Sequence, residues 1–182
     1  MRPGHWLLIG AGFMLACATS PESPDPGVLK LFVKGESEQF SSEQGDTLWL
    51  RFWNERAYRD DGMWADIFDA LEGDLANRNI ATDTVEVISA ASIDPGARIG
   101  LSHLPPASYD SLALSIDHLG YFVQEGTTIP LSSALEERRT VVAHRFNIHE
   151  QDTLELVLIC HVDSSLERHG DEFKFTPVFS VE

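Results

Sequence analysis

Cysteine is scarce in this chain. Only Cys17 and Cys160 occur among 182 residues, so at most one disulfide can form and no paired C-x-x-C metal or redox motif exists. Basic residues are also few, with 13 Lys and Arg against 29 Asp and Glu and a formal net charge of −16. That balance argues against nucleic acid or anionic headgroups as partners, because phosphate binding rests on Lys and Arg. No apolar run approaches the roughly 20 residues that a helix needs to cross a bilayer. The H-E-x-x-H, G-x-S-x-G and Asp-x-Asp-x-Asp-Gly patterns are missing, which removes the common signals for a zinc protease, a nucleophile elbow and a calcium loop. There is no internal repeat and no βαβ rhythm.

What is present begins at the N-terminus. A short basic start, Met1 to His5, precedes an apolar run from Trp6 to Ala16, the plan of a secretory signal peptide. The run ends in MLAC, which resembles the lipobox of bacterial lipoproteins, whose cysteine becomes the acylated first residue after cleavage. On that resemblance residues 1–16 are the signal peptide and Cys17 is the lipidation site. Ala18, in place of an aspartate, favours the outer membrane. An ordinary signal peptide cut near Ala18 is the competing reading. Removing Met1 to Ala16 takes away Arg2 and no acid, so the charge moves from −16 to −17. Ala18 to Gly27 (ATSPESPDPG) holds three prolines and little to pack, and reads as a tether.

From residue 28 onward a single domain is expected, and its pattern is the two-residue period of half-buried strands. Leu29, Leu31 and Val33 share one face, as do Leu48, Leu50 and Phe52, and Leu112, Leu114 and Ile116. Tyr121–Gln124 and Thr127–Leu131 flank Glu125-Gly126 as a hairpin. A second hairpin is expected between Val141–Ile148 and Thr153–Val162, and one last strand over Phe173, Phe175, Pro177, Phe179 and Val181. Pro177 marks an edge or strand end. Trp64, Ile67, Phe68, Leu71 and Leu75 instead fall at helical spacing. They predict one short amphipathic helix near residues 63–76, capped by Asp60 or Asp61 and covering the Trp49–Trp53 face. The expected fold is therefore mainly β, an antiparallel sandwich of seven to nine strands with that helix inserted. On the strand from Leu154 to Val162 the Cys160 face is wholly apolar, so Cys160 should be a buried, inert thiol.

The chemical candidates are few. His144 and His149 are five apart and His103, His118 and His169 sit near turns, so no metal ligand set and no cofactor site is expected. Acid clusters at Asp60-Asp61 with Asp66, at Asp69 to Asp74 and at Asp171-Glu172 fit solvated turns and a helix face. A hydrolase would need an acid pair such as Asp117 with Asp163 gathered in a cleft. The Trp49, Arg51 and Trp53 face is a candidate binding platform for sugars or a partner's side chains.

The C-terminal half resembles a bacterial lipoprotein family known as domain of unknown function 4382, over about residues 99–181. Its LPAGxYxxIRL motif is matched by LPPASYDSLAL at Leu104–Leu114, with Tyr109 at the aromatic position. Its YVVxxG…PL hairpin is matched by YFVQEGTTIPL, with Gly126 in the turn. RFNI, DTLELVLICHVDSS and FKFTPVFSV follow in the family's order and place Asp163, Ser165 and Pro177. The spacer between Asp163 and Ser165 is shorter than in the family, His161 replaces an acid, and Ala107-Ser108 replaces Ala-Gly. The resemblance implies an envelope-anchored β-sandwich and no activity. Asp163 and Ser165 are expected to close a turn through side-chain to backbone bonds. Together these features predict a lipid-anchored, non-enzymatic binding or structural module with an envelope protein or glycan as partner. A carbohydrate-binding module built on Trp49, Arg51 and Trp53 is the alternative.

Overall fold

The structure, a computed structural model, describes residues 23–67, 83–133 and 139–182. Cys17, the segment before it and Phe68 to Leu75 lie outside the described residues. The chain folds as two facing sheets. The smaller sheet contains β1 (Gly27–Glu36), β5 (Ala97–Leu104), β10 (Thr153–His161) and β13 (Phe179–Val181), in the order β13-β10-β1-β5. The larger is built on the long strand β2 (Thr47–Arg59). With β3 (Trp64–Ile67), β4 (Asp83–Glu86), β6 (Ala107–Ile116), β7 (Tyr121–Gln124), β8 (Thr127–Ser132), β9 (Arg139–Ile148), β11 (Leu166–His169) and β12 (Glu172–Phe175) it makes a curled, mostly antiparallel layer. The sandwich expected from the alternating pattern is the observed architecture.

The core forms where the alternation says it should. Leu29, Leu31 and Val33 of β1 meet Leu48, Leu50 and Phe52 of β2, Leu112, Leu114 and Ile116 of β6, and Leu156, Leu158 and Cys160 of β10 in one buried cluster. At roughly 25 cal/mol per Å² of buried apolar surface, such two-sided burial is what sets each strand's facing. Gly35 is required by close approach. A Cβ there would lie 2.7 Å from the carbonyl oxygen of Val87, whose segment crosses directly over β1.

Four expectations are corrected. Trp64–Ile67 is a strand, not the start of a helix, and pairs antiparallel with Glu55–Tyr58. Asp60-Asp61-Gly62 makes the turn of that hairpin. Gly62 takes a φ of 83°, and the Asp61 side chain accepts a hydrogen bond from the Met63 N–H at 3.0 Å. In the strand Ile67 points inward and Trp64 outward, whereas a helix would have put them on one face. Among the described residues the one α-helical segment, α1 (Val162–Ser165), is a single turn after β10, beside two short 3-10 turns at Ser42–Gln44 and Ser89–Ser92.

Second, β9 and β10 are not a hairpin. β9 pairs with β6 in the larger sheet and β10 with β1 in the smaller, so the turn His149–Asp152 carries the chain from one layer to the other. Third, the last strand is two strands in different sheets. Pro177, buried and without an N–H to give, sits between β12 and β13 where the chain crosses over. Fourth, thirteen strands are described rather than seven to nine, because β3, β4, β5 and β11 join the expected set and the last strand is divided in two. β1 also runs parallel to β10, and β12 parallel to β8.

Candidate functional site

The outer face of the larger sheet is assembled by β2. Trp49, Arg51 and Trp53 alternate with the buried Leu48, Leu50 and Phe52, and all three are half-buried. At Asn54, with a φ of 56°, the strand bulges: Trp53 stands opposite Ser115 and Arg56 opposite Ala113, so β2 carries one extra residue there. Asn is among the residue types that tolerate this conformation. The bulge returns Glu55 and Ala57 to the inside and places Arg56 and Tyr58 outside with the tryptophans. Strict alternation from Trp49 misses both residues.

Opposite partners in an antiparallel pair share a face, so the registers extend this surface sideways. One row runs Asp66, Arg56, Ala113, Val141 and the next Trp64, Tyr58, Ser111, Ala143. The Arg56 guanidinium lies 4.0 Å over the Trp64 ring and its Nε donates to Asp66 Oδ1 at 3.0 Å. Further along, Trp49 stacks on Tyr121 with ring centroids 6.0 Å apart, and Arg51 lies 3.9 Å from the Asp117 carboxylate. The three-residue platform is thus part of a broader aromatic and cationic surface, with small side chains of β6 beside it. Trp64 is 47% exposed. No described helix covers Trp49 and Trp53. β3 and β4 pair with β2 along its edge, and most of the segment expected to cover this face lies outside the described residues.

The residues matching family motifs do structural work. Tyr109 is fully buried, donates its hydroxyl to the Pro105 carbonyl at 3.0 Å and stacks on Phe146 with centroids 5.1 Å apart. Desolvation raises its pKa, opposed by Arg59. Gly126, at φ 75°, follows Glu125 at φ 50° in the two-residue turn joining β7 to β8. Asp163 accepts from the Ser37 hydroxyl and, at 2.7 Å, from the Glu38 N–H. Ser165, almost fully buried, accepts from the Val178 N–H at 3.0 Å. Both side chains tie distant backbone segments to the turn after β10 rather than closing a local turn, which corrects that expectation.

Burial pushes the Cys160 thiol up to about 12, with a hydrogen bond from Ser165 working the other way. His161, on the opposite side of β10, meets Ser180 Oγ at 2.8 Å and Glu36 at 3.4 Å. Beside it lies a shallow cleft of about 450 Å³ lined by Lys34, Glu36, Ala91, Ile159, Ser180 and Glu182. Lys34 and Glu182 pair there at 2.5 Å. Asp117 and Asp163 belong to separate networks, one with Arg51 and His118 and the other with Ser37 and Glu38. Among the described residues no three His, Cys, Asp or Glu side chains gather to hold a metal ion.

Compared with known proteins, the chain matches no family model, no curated protein and no solved structure. The likeness to domain of unknown function 4382 therefore rests on the quoted motifs alone.

Proposed function

We propose that this protein is a non-enzymatic binding or structural β-sandwich module of the bacterial cell envelope, held at the outer membrane through acylated Cys17. The proline-rich segment Ala18–Gly27 spaces the domain from the lipid. One observation carries the binding reading: aromatic and cationic side chains stand together on an outer sheet face, while Asp163, Ser165 and Cys160 are taken up by the scaffold. Asp163 and Ser165 bond to backbone N–H groups, and Cys160 is a buried thiol. Trp49, Trp53, Arg56, Tyr58 and Trp64 face outward. The address rests on the MLAC sequence and the lipoprotein-family motifs. Expressed in a bacterial host, the full-length chain should fractionate with outer membranes, and Cys17→Ser should move it to the soluble fraction. A serine variant that stays with the membrane would remove the anchor from the reading.

A second reading is favoured by the half-buried indoles: a carbohydrate-binding module in which Trp49 and Trp53 stack against sugar rings and Arg51 bonds hydroxyls. Titration with soluble β-linked oligosaccharides should then quench tryptophan fluorescence, and Trp53→Ala should abolish the change. An unaltered spectrum across the series would remove this reading and leave the first intact.

A further inference from the structure

We infer that β9 is a docking edge, on which an acidic, extended segment of a partner protein adds as a further strand of the larger sheet. The inference rests on the binding-module reading, not on the anchor. Sheet edges invite pairing by other chains, and proteins commonly blunt them by shortening, covering or bending the strand or by adding Lys or Pro. The other edges described here are treated in that way. β11 has four residues and β13 has three. β5 abuts β3, where Ser102 Oγ bonds to the Asp66 carbonyl at 3.2 Å.

β9 is different. It has ten residues, ends the larger sheet among the described residues, pairs only with β6 and contains neither Pro nor Lys. Its one bulge, opposite Tyr109–Ser111, lies in the second half, so Arg139–Ala143 remains a regular stretch. In the middle of that stretch Val141 is 65% exposed, more than any other large apolar residue described.

Charge selects the occupant. Lys30, Lys34, Arg51, Arg56 and Arg59 each meet a carboxylate. Arg139 and Arg145 of β9 are exposed and make no ion pair among the described residues, and no acid occurs from Arg139 to Ile148. On a chain of net charge −16 this is a local cationic strip on a strand that β13 of the smaller sheet approaches but that, among the described residues, bonds only to β6. An incoming strand would bond through its backbone, set an apolar side chain against Val141 and lay carboxylates beside the two arginines. A second copy fits poorly, because pairing β9 with itself antiparallel brings like charges together.

The test uses full-length protein and three capped eight-residue peptides. One alternates Val or Thr with Glu, one replaces Glu with Lys, and one keeps the Glu but interrupts the backbone with Pro. The Glu peptide should bind at least about tenfold more tightly than either of the others, a difference of about 1.4 kcal/mol. Added salt should weaken it, and its binding should slow amide exchange across Arg139–Ala143. Val141→Asp and the double variant Arg139→Glu/Arg145→Glu, all at exposed positions, should each cut binding about tenfold, and the double variant should prefer the Lys peptide. Equal binding of all three peptides, no binding, or unchanged exchange in β9 would overturn the inference. So would a concentration-dependent dimer abolished by Val141→Asp, which would assign the edge to a second copy. Each of these outcomes leaves the membrane-fractionation result untouched, so the two readings fail separately.

Discussion

Cys160 is surrounded by the core and opposed in register by Gly35, so its thiol has no water to help it ionise. Its folded pKa is about 12, against 9.0 for the unperturbed group. The unfolded state therefore releases the proton first as pH rises, and folding stability, complete below about pH 9, falls progressively towards pH 12. Urea titrations of the wild type and Cys160→Ala across that interval should diverge in slope, only the wild type carrying this loss. At pH 8 a thiol reagent should react with Cys160 only after denaturation, and rapid native labelling would contradict the buried placement. This side chain was legible in the sequence, because apolar residues on both sides at two-residue spacing define its face. Tyr109 was legible only in part. The motif singled it out, but not that its hydroxyl ties back to Pro105 across the corner between β5 and β6.

Asp163 shows how one side chain can hold elements that are far apart in sequence. From the turn after β10 it grips Ser37 and Glu38, just beyond β1, and so fixes the exit of one central strand against that of its parallel neighbour. Replacing it with alanine should cost about 2 kcal/mol, the scale of hydrogen bonds to a charged acceptor, read as a lower urea midpoint with unchanged slope. A loss of stability near zero would mean that the clamp is idle. The elements misread from sequence fail for identifiable reasons. Trp64 and Ile67 satisfy helical spacing, but four residues also satisfy a strand with Ile67 inside, and Asp-Asp-Gly suits a hairpin turn as well as a helix cap. The bulge at Asn54 is invisible to alternation, yet it brings Arg56 and Tyr58 to the candidate site. Apolar periodicity also cannot say which sheet a strand joins, so β9 and β10 look like a hairpin until their partners are known.

For the molecule as a whole, the two-layer architecture was readable because nearly every strand has one apolar face, and such faces are satisfied by a second sheet. The pairing order was not, because it depends on contacts between distant segments. The candidate surface was readable at Trp49, Arg51 and Trp53, and its extension to Trp64, Tyr121 and Val141 was not. The placement of β1 has a consequence for how the molecule comes into being. Its neighbours are β5 on one side and β10 on the other, and Lys30 pairs with Glu155, 125 positions later. A chain emerging N-terminus first, from a ribosome or through a membrane pore, therefore carries its first strand with one side unfinished for most of its length. Its layers close only when the final thirty or so residues arrive, so the order of emergence keeps the polypeptide open and threadable until it is nearly complete.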